Sequence, residues 1–591
     1  MRIQNLRAVS FIICLLSIVA ITNAQSSGGS LYLQTSEVNN TMVHYDADRG
    51  SIMRFYSTSS SANWWEGRDD DNYNSPERRQ RLLKLIDDYN KELSQLNFDA
   101  MNINGKVDYI LFKRNINNEQ YNLQQQQKSY EQVKKFFPFE EKIYALEKPR
   151  RRGIAVNGEE AAKEMESIRK AIIEQIKLFN KADSLDKKTS EFAVAHANGL
   201  QGILKKYYNF YNGYDPLFTW WVPKTYTQAD SMLTIYASLL KSKRKESSTQ
   251  KDDGSGIVGN PIGRDELIRQ LQTEFIPYSP EELVDIANKE FAWCDAELLK
   301  ASREMGFGDN WKAAQEKVKN SFVAPGKQPE AMFDLYKQSI DFLKKNDLLT
   351  IPPLAEETWS IYMMSPEAQK INPFFTGGES LTVSYPTNTM TYDEKMMSMR
   401  GNNPHFSRAT VHHELIAGHH LQGFMEGRYK AYRHFETPFW VEGNALYWEM
   451  LLWDLKFPQS PEDRIGMLFW RMHRCARIIF SLNYHLGKWT PQQCIDFLVD
   501  RVGHERANAE GEVRRSFVGG YSPLYQIAYM LGGLQFTALK NELVGTKKMT
   551  YRQYHDAILE ENAMPVELLR AILTNQPLQR DFKTNWKFYK F

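Results

Sequence analysis

Apolar residues recur along most of the chain at spacings of three and four, the period of a helix buried along one face. Met165, Ile168, Ile172, Ile176 and Phe179 form the clearest such stripe. Several helix starts carry the same mark, a hydroxyl residue followed by proline: Ser75-Pro76, Ser279-Pro280, Ser460-Pro461 and Thr490-Pro491. The hydroxyl can accept a bond from an orphan backbone N–H of the first turn. Proline, which has no N–H to orphan, suits the first helical position. Glu282 and Gln493, three residues after Ser279 and Thr490, complete capping boxes. Alternation with period two is scarce, and Leu381 to Tyr385 is the best strand candidate. The pattern predicts a predominantly α protein with at most a small β element.

A polar lead-in runs from Gln25 to about Asp71. Lys241 to Gly263 is charged, then Ser/Gly-rich, then turn-rich, and its 246–263 stretch reads as a linker or exposed loop. It divides an N-terminal helical region, 25–245, from a C-terminal one, 264–591. The run Glu147-Lys148-Pro149-Arg150-Arg151-Arg152 reads as a solvated turn without assigned function, and there is no internal repeat.

The first residues have the form of an export signal: Arg2 and Arg7, an apolar Val9–Ile21, then Thr22-Asn23-Ala24 with a small residue at its end. Removal of residues 1–24 would leave Gln25 first. The alternative is an uncleaved anchor, but about 13 apolar residues are short for a bilayer span. Cys14 lacks a leucine-led lipobox. An exported protein, periplasmic or secreted, is expected, and no other stretch is apolar enough for stable membrane insertion. Cys294, Cys475 and Cys494 remain, an odd number that excludes a disulfide framework. Cys475 and Cys494 could pair, or all three could be small buried hydrophobes.

Composition sets the scale. A chain of 591 residues with 42% hydrophobic and 13% aromatic residues can bury a large core. Lys+Arg 74 against Asp+Glu 72 leaves a net charge of +2, so the bulk numbers show no nucleic-acid-binding face.

The chemistry concentrates in Val411-His412-His413-Glu414-Leu415-Ile416-Ala417-Gly418-His419-His420-Leu421-Gln422, which holds four of the twelve histidines. Helical zinc hydrolases use His-Glu-x-x-His, in which two histidines one turn apart hold the metal and the Glu polarises a water. Here the spacing is longer. On an unbroken helix His420 shares the face of His413 but lies about 10 Å along the axis, and His419 points about 120° away. A bulge of two residues at Ala417-Gly418 would return His419 to His413. His413 and His419 are therefore the expected ligands, with His420 the alternative second one, and Glu414 the water-activating base. Downstream, Glu442 and Glu449 lie seven apart on one helical face. Glu442 is the expected third ligand, and Glu449 could orient a ligating imidazole. Three protein ligands and one open position are what a catalytic zinc ion needs. Against this stands a core, surface or purely structural histidine cluster.

Residues 413–422 (HELIAGHHLQ) resemble the signature HExxPGHHxQ of the bacterial "domain of unknown function 885" family, regarded as zinc metallopeptidases. Residues 442–449 (EGNALYWE), 474–489, 512–532 and 276–297 also match blocks of that family. Ala417 stands for the usual Pro, Asn444 for Trp, and Ser481 and Asn483 for Asp and Gly. None of these removes a proposed ligand or the base. The Gly-His step and Gly520-Tyr521-Ser522-Pro523-Leu524-Tyr525 are also similar to helical oligopeptidases and Taq-type carboxypeptidases, whose late tyrosines serve the transition state. The resemblance implies Tyr521 and Tyr525, with His485, as oxyanion donors. His420 and Gln422 would support a ligand or touch substrate. Arg514, or Arg515, would clamp a peptide carboxylate or make an ordinary ion pair. It further implies one zinc ion, a deep cleft, and hydrolysis of short or unfolded peptides. The alternatives are a secreted metal-binding or scaffold protein with a structural or inactive site, and a zinc amidohydrolase acting on small amides.

Overall fold

A computed structural model describes residues 35–56, 75–180, 184–245, 252–369, 374, 376–378, 380–458 and 460–590. The expected signal peptide and residues 246–251 lie outside the described residues. The chain is predominantly helical, as its apolar period predicts. Among the described residues the strands are β1 (Ser360–Met363) and β2 (Ser380–Val383), paired in parallel with Ser360 opposite Ser380 and Met363 opposite Val383. β2 lies in the predicted strand segment. β1 is mostly exposed and shows no buried alternation, so the sequence carried no sign of it.

The marked helix starts form as their chemistry requires. Ser75 accepts from the Arg78 N–H at 3.2 Å and Ser460 from the Asp463 N–H at 3.1 Å. Ser279 with Glu282, and Thr490 with Gln493, close reciprocal capping boxes.

The chain divides into two compact units. One comprises Asn40–Leu96 and Phe112–Lys251. Its core includes the predicted stripe on the Gly158–Asn180 helix: Met165, Ile168 and Ile172 are buried with Leu200, Leu204 and Leu233 of the Lys187–Tyr211 and Pro223–Ser242 helices. Ile176 packs at the rim of that core.

The second unit comprises Met1–Asn39, Asn97–Leu111 and Asp252–Phe591. This corrects the expected contiguous N-terminal region, because Asn97–Leu111 belongs with the C-terminal part. The reason is a buried ion pair: Asp108 and Arg433, both fully buried, meet at 2.7 Å, and Asn104 accepts from Lys430 at 3.0 Å. Removing one partner would leave an uncompensated charge in the interior. The described part of the expected linker is also more seated than predicted. Ile257 is buried, Asp253 accepts from the Gln492 N–H at 2.7 Å, and the Gly263 N–H donates to the His485 carbonyl at 3.0 Å.

At the centre of this unit lies the Pro438–Asp454 helix, apolar and buried on nearly every face. The Tyr525–Leu543 helix crosses it where Gly443 meets Gly532. A Cβ on either glycine would overlap the backbone of the other helix, so only glycine permits this approach. The Pro461–His485 helix is also buried along most of its length. Cys294, Cys475 and Cys494 are buried and unpaired, so the Cys475–Cys494 bond does not form. Among the described residues no helix is long and apolar enough to cross a membrane.

Candidate metal centre

The site is built where one helix stops and another starts. The Pro404–Glu414 helix is capped by Asn403, whose side chain accepts from the His405 and Phe406 N–H groups at 3.1 and 3.0 Å. It ends at Glu414, and the His419–Met425 helix follows. Between them Leu415–Gly418 leaves the helical path, and the Ile416–Ala417 peptide is cis. The expected two-residue bulge is thus a full break, although the net excess is still two residues. The Leu421 N–H reaches the Leu415 carbonyl, six positions back instead of four. Gly418 makes the return possible, because a Cβ there would overlap the His413 carbonyl group.

The break brings His413 and His419 together. Their rings lie 4.9 Å apart at 84°, and both Nε2 atoms face one oxygen of Glu442, at 3.5 Å from His413 and 3.2 Å from His419. One ligand atom from each of His413, His419 and Glu442 fits within 4.8 Å. The opposite ring nitrogens are engaged. His413 Nδ1 donates to Glu449 Oε1 at 2.7 Å, and His419 Nδ1 pairs with Gln422 Oε1 at 3.2 Å. Gln422 in turn donates to the Val441 carbonyl at 3.1 Å and to Asn444 Oδ1 at 3.2 Å. Fixing Nδ1 in this way orients Nε2 toward a common point.

The electrostatics agree with a cation site. Burial alone would raise the Glu442 carboxyl, but His419 and His413 outweigh it and hold the group well below the usual carboxylate range. Burial likewise disfavours a charged His413, yet Glu442, Glu449 and Glu414 push it up to about 9. Negative charge therefore collects around two imidazoles. Glu442 Oε2 is buried and faces the two imidazole nitrogens without a well-formed hydrogen bond to either, a costly arrangement unless something fills the space between the donors. Two imidazole nitrogens and a carboxylate oxygen are a donor set that suits zinc. The residues fit the metal.

Glu414 ends the first helix beside His413 and is half-buried. Gly377 covers it so closely that a Cβ on Gly377 would overlap the Glu414 side chain and carbonyl. Tyr525, the first residue of its helix, donates its hydroxyl to the other oxygen of Glu442. Tyr521 packs on Tyr525 with ring centroids 4.4 Å apart. A cavity of about 390 Å³ is lined by His419, Glu442, Gln422, Gly377, Trp440 and Asn562.

Other expected residues are placed elsewhere. His420 does not join the cluster: its Nε2 donates to the Ala355 carbonyl at 2.8 Å, and it lines an adjoining cavity with Ser360, Tyr362 and Ser380. Arg514 does not aim at the centre. It is exposed and donates to the Gly256 and Ser255 carbonyls at 3.2 and 3.4 Å. Its neighbour Arg515, about 100° round the helix, turns inward to Glu512 at 3.5 Å and to the Tyr521 ring at 4.9 Å. His485 packs on Phe517 and Tyr484, and neither ring nitrogen has a hydrogen-bond partner. It stands about 16 Å along its helix from Arg474, which is the residue that touches Glu449.

The structure adds residues that the motif reading missed. Arg474 lies 3.4 Å from Glu449, and Arg477 pairs with Glu512 at 2.7 Å. Both guanidinium groups lie over the Tyr529 ring, at 4.6 and 4.4 Å, and that ring stacks 6.1 Å from His413. The available signal was two arginines three apart inside an otherwise apolar helical run, Arg474 to Phe480. Such charges must be buried and paired.

The fold is predominantly helical, with a His-His-Glu cluster at a helix break beside a half-buried glutamate. The chain belongs to the family described as "Bacterial protein of unknown function (DUF885)", whose pattern matches residues 65–573. Its fold is similar to that of a candidate lipoprotein of unknown function from Shewanella oneidensis, with 15% identity and a TM-score of 0.63 over 91% of this chain and 99% of that one. It is also similar to a candidate lipoprotein from Colwellia psychrerythraea, with 15% identity and a TM-score of 0.56 over 91% and 98%. At that identity the likeness is one of fold. No curated protein matches the chain.

Proposed function

We propose that the protein is an exported zinc metallopeptidase acting on short or unfolded peptides. One observation carries the reading: His413, His419 and Glu442 converge within 4.8 Å, next to Glu414 and on the wall of a cavity. His413, His419 and Glu442 would hold the ion, and these three protein donors would leave a position for water or substrate. Zinc, when bound, supplies Lewis acidity to the scissile carbonyl and makes water acidic near neutral pH.

The chain's own groups do the rest. Glu414 takes the proton of the attacking water and returns it to the leaving amine. Tyr525, held on Glu442 in this structure, turns its hydroxyl toward the developing oxyanion, and Tyr521 packs behind it. Glu449 and Gln422 hold the two imidazoles in the tautomer that leaves Nε2 free to ligate. A cavity of about 390 Å³ admits a few extended residues and not a folded domain.

Export rests on the amino-terminal pattern, and the description of the two similar proteins as lipoproteins supports an envelope location. The test is hydrolysis of a mixed peptide library, with small amides alongside, by zinc-loaded and chelator-treated protein. Zinc-dependent peptide cleavage supports the reading. Cleavage of small amides alone moves the assignment to an amidohydrolase, and cleavage of neither favours a binding or scaffold protein.

A further inference from the structure

The cavity beside the metal donors carries a second set of polar groups on its wall. Besides His419 and Glu442 it is lined by Glu426, Glu436, Trp440 and Asn562. Trp440 is 3% and Asn562 5% exposed, and each keeps one polar atom without a hydrogen-bond partner, Nε1 of the indole and Oδ1 of the amide. A buried donor and a buried acceptor left unbonded are costly, and a ligand that meets them relieves the cost. Both side chains are fixed in place. Trp440 lies in the first turn of the Pro438–Asp454 helix, two residues before Glu442. Asn562 takes a left-handed backbone conformation with φ of 60°, and its Nδ2 donates to the Lys430 carbonyl at 2.9 Å, so its oxygen is the end left over. An N–H and a C=O together are the complement of a peptide unit.

Charge on the same wall selects what accompanies that peptide unit. No Lys or Arg lines the cavity, whereas Glu426 and Glu436 do, both exposed and in no ion pair among the described residues. The Lys and Arg side chains between them in sequence are committed elsewhere. Lys430 and Arg433 are buried against Glu561 and Asp108. Arg428 lies 3.8 Å from the Phe424 ring and donates to the Phe424 carbonyl at 2.6 Å. Glu442 turns its charge to the two imidazoles, so the negative charge left for a ligand is that of Glu426 and Glu436. Such a wall favours a cation and disfavours a carboxylate.

We propose that this wall binds an ammonium-bearing part of the peptide: Glu426 and Glu436 hold the ammonium group, and Trp440 and Asn562 bond the adjoining peptide unit. The ammonium comes from the amino terminus or from a lysine side chain, and the chemistry at the wall is the same for both. The inference rests on the peptidase reading for the nature of the ligand, and its test reads binding without cleavage.

Fluorescence anisotropy with short peptides labelled at the carboxyl end tests it, using zinc-loaded Glu414→Gln protein, which lacks the proposed base. The reference is an acetylated peptide of neutral residues. Against it stand the same peptide with a free amino terminus and an acetylated one carrying a single lysine. At least one of these two should bind about fivefold or more tightly than the reference, and which one does so identifies the source of the ammonium. Glu426→Gln with Glu436→Gln should remove most of that difference. Asn562→Ala should weaken charged and neutral peptides alike, by about fivefold. Both glutamates are exposed, and an unchanged thermal midpoint will show that the double variant folds. The inference is overturned if the reference binds as tightly as both ammonium-bearing peptides, if the double variant keeps the difference, or if no peptide binds. A preference for ammonium in a protein whose wild type cleaves no peptide supports this inference and overturns the peptidase reading. Cleavage by the wild type without that preference does the reverse.

Discussion

His413 Nδ1 and Glu449 Oε1 lie 2.7 Å apart in a buried setting, so the imidazole that faces Glu442 is anchored from behind by a second carboxylate. Arg474, 3.4 Å from the same oxygen, balances the charge. Glu449→Gln should keep the fold and weaken zinc binding by about 10- to 100-fold, because the ligand loses its orientation and basicity. Competition against a zinc-chelating dye measures this directly. Unchanged affinity would mean that the Glu449 contact is only structural.

Gly418 sits under the His413 carbonyl at the break between the two helices. Gly418→Ala should force the two histidines apart, lowering stability by about 1–3 kcal/mol and weakening zinc binding as well. Chemical denaturation with a parallel zinc titration reads both effects.

Tyr525 offers a different signature. Tyr525→Phe leaves the three donors in place but removes the hydroxyl that meets Glu442. Peptide turnover should fall by about 100-fold with zinc stoichiometry unchanged. A loss of zinc with the same turnover per bound ion would make Tyr525 a support of the ligand and not an oxyanion donor.

Stability should fall in mild acid. Burial holds His504 and His555 down to about 3, so both are neutral in the folded protein. His555 donates from Nδ1 to the Leu348 carbonyl at 2.6 Å and accepts at Nε2 from Tyr447 at 2.8 Å. Unfolded, each takes a proton below about pH 6.5, so their contribution is lost as pH drops from there toward 3. Glu512 acts in the same direction over a lower window. Burial raises its carboxyl, but Arg477 and Arg515 prevail and hold it at about 2, so its stabilisation is lost as pH falls from about 4.5 toward 2. Urea midpoints measured from pH 7 to pH 4 should decline steadily, and His555→Gln should make the decline shallower.

The fold class and much of the site were legible in the chain, for identifiable reasons. Capping residues act within one turn, so Ser75, Ser279, Ser460 and Thr490 could be read locally. The six-residue spacing of His413 and His419 contained its own geometric correction, and Gly418 marked where that correction falls. Long-range pairing was not legible. Asp108 meets Arg433 across more than three hundred positions, which moves Asn97–Leu111 into the other unit. Arg514 and Arg515 differ only by their turn on a helix, and nothing in the motif shows which of them faces inward. β1 lacks alternation because its side chains are mostly exposed.

In the proposed mechanism Glu414 moves the proton at a zinc site made by His413, His419 and Glu442. Zinc content and peptide hydrolysis of the wild type beside Glu414→Gln test it most directly. Both proteins should bind about one zinc per chain, the wild type should cleave, and the variant should lose at least about 1,000-fold of that activity. Equal cleavage by both proteins, or no zinc bound by either, would contradict it.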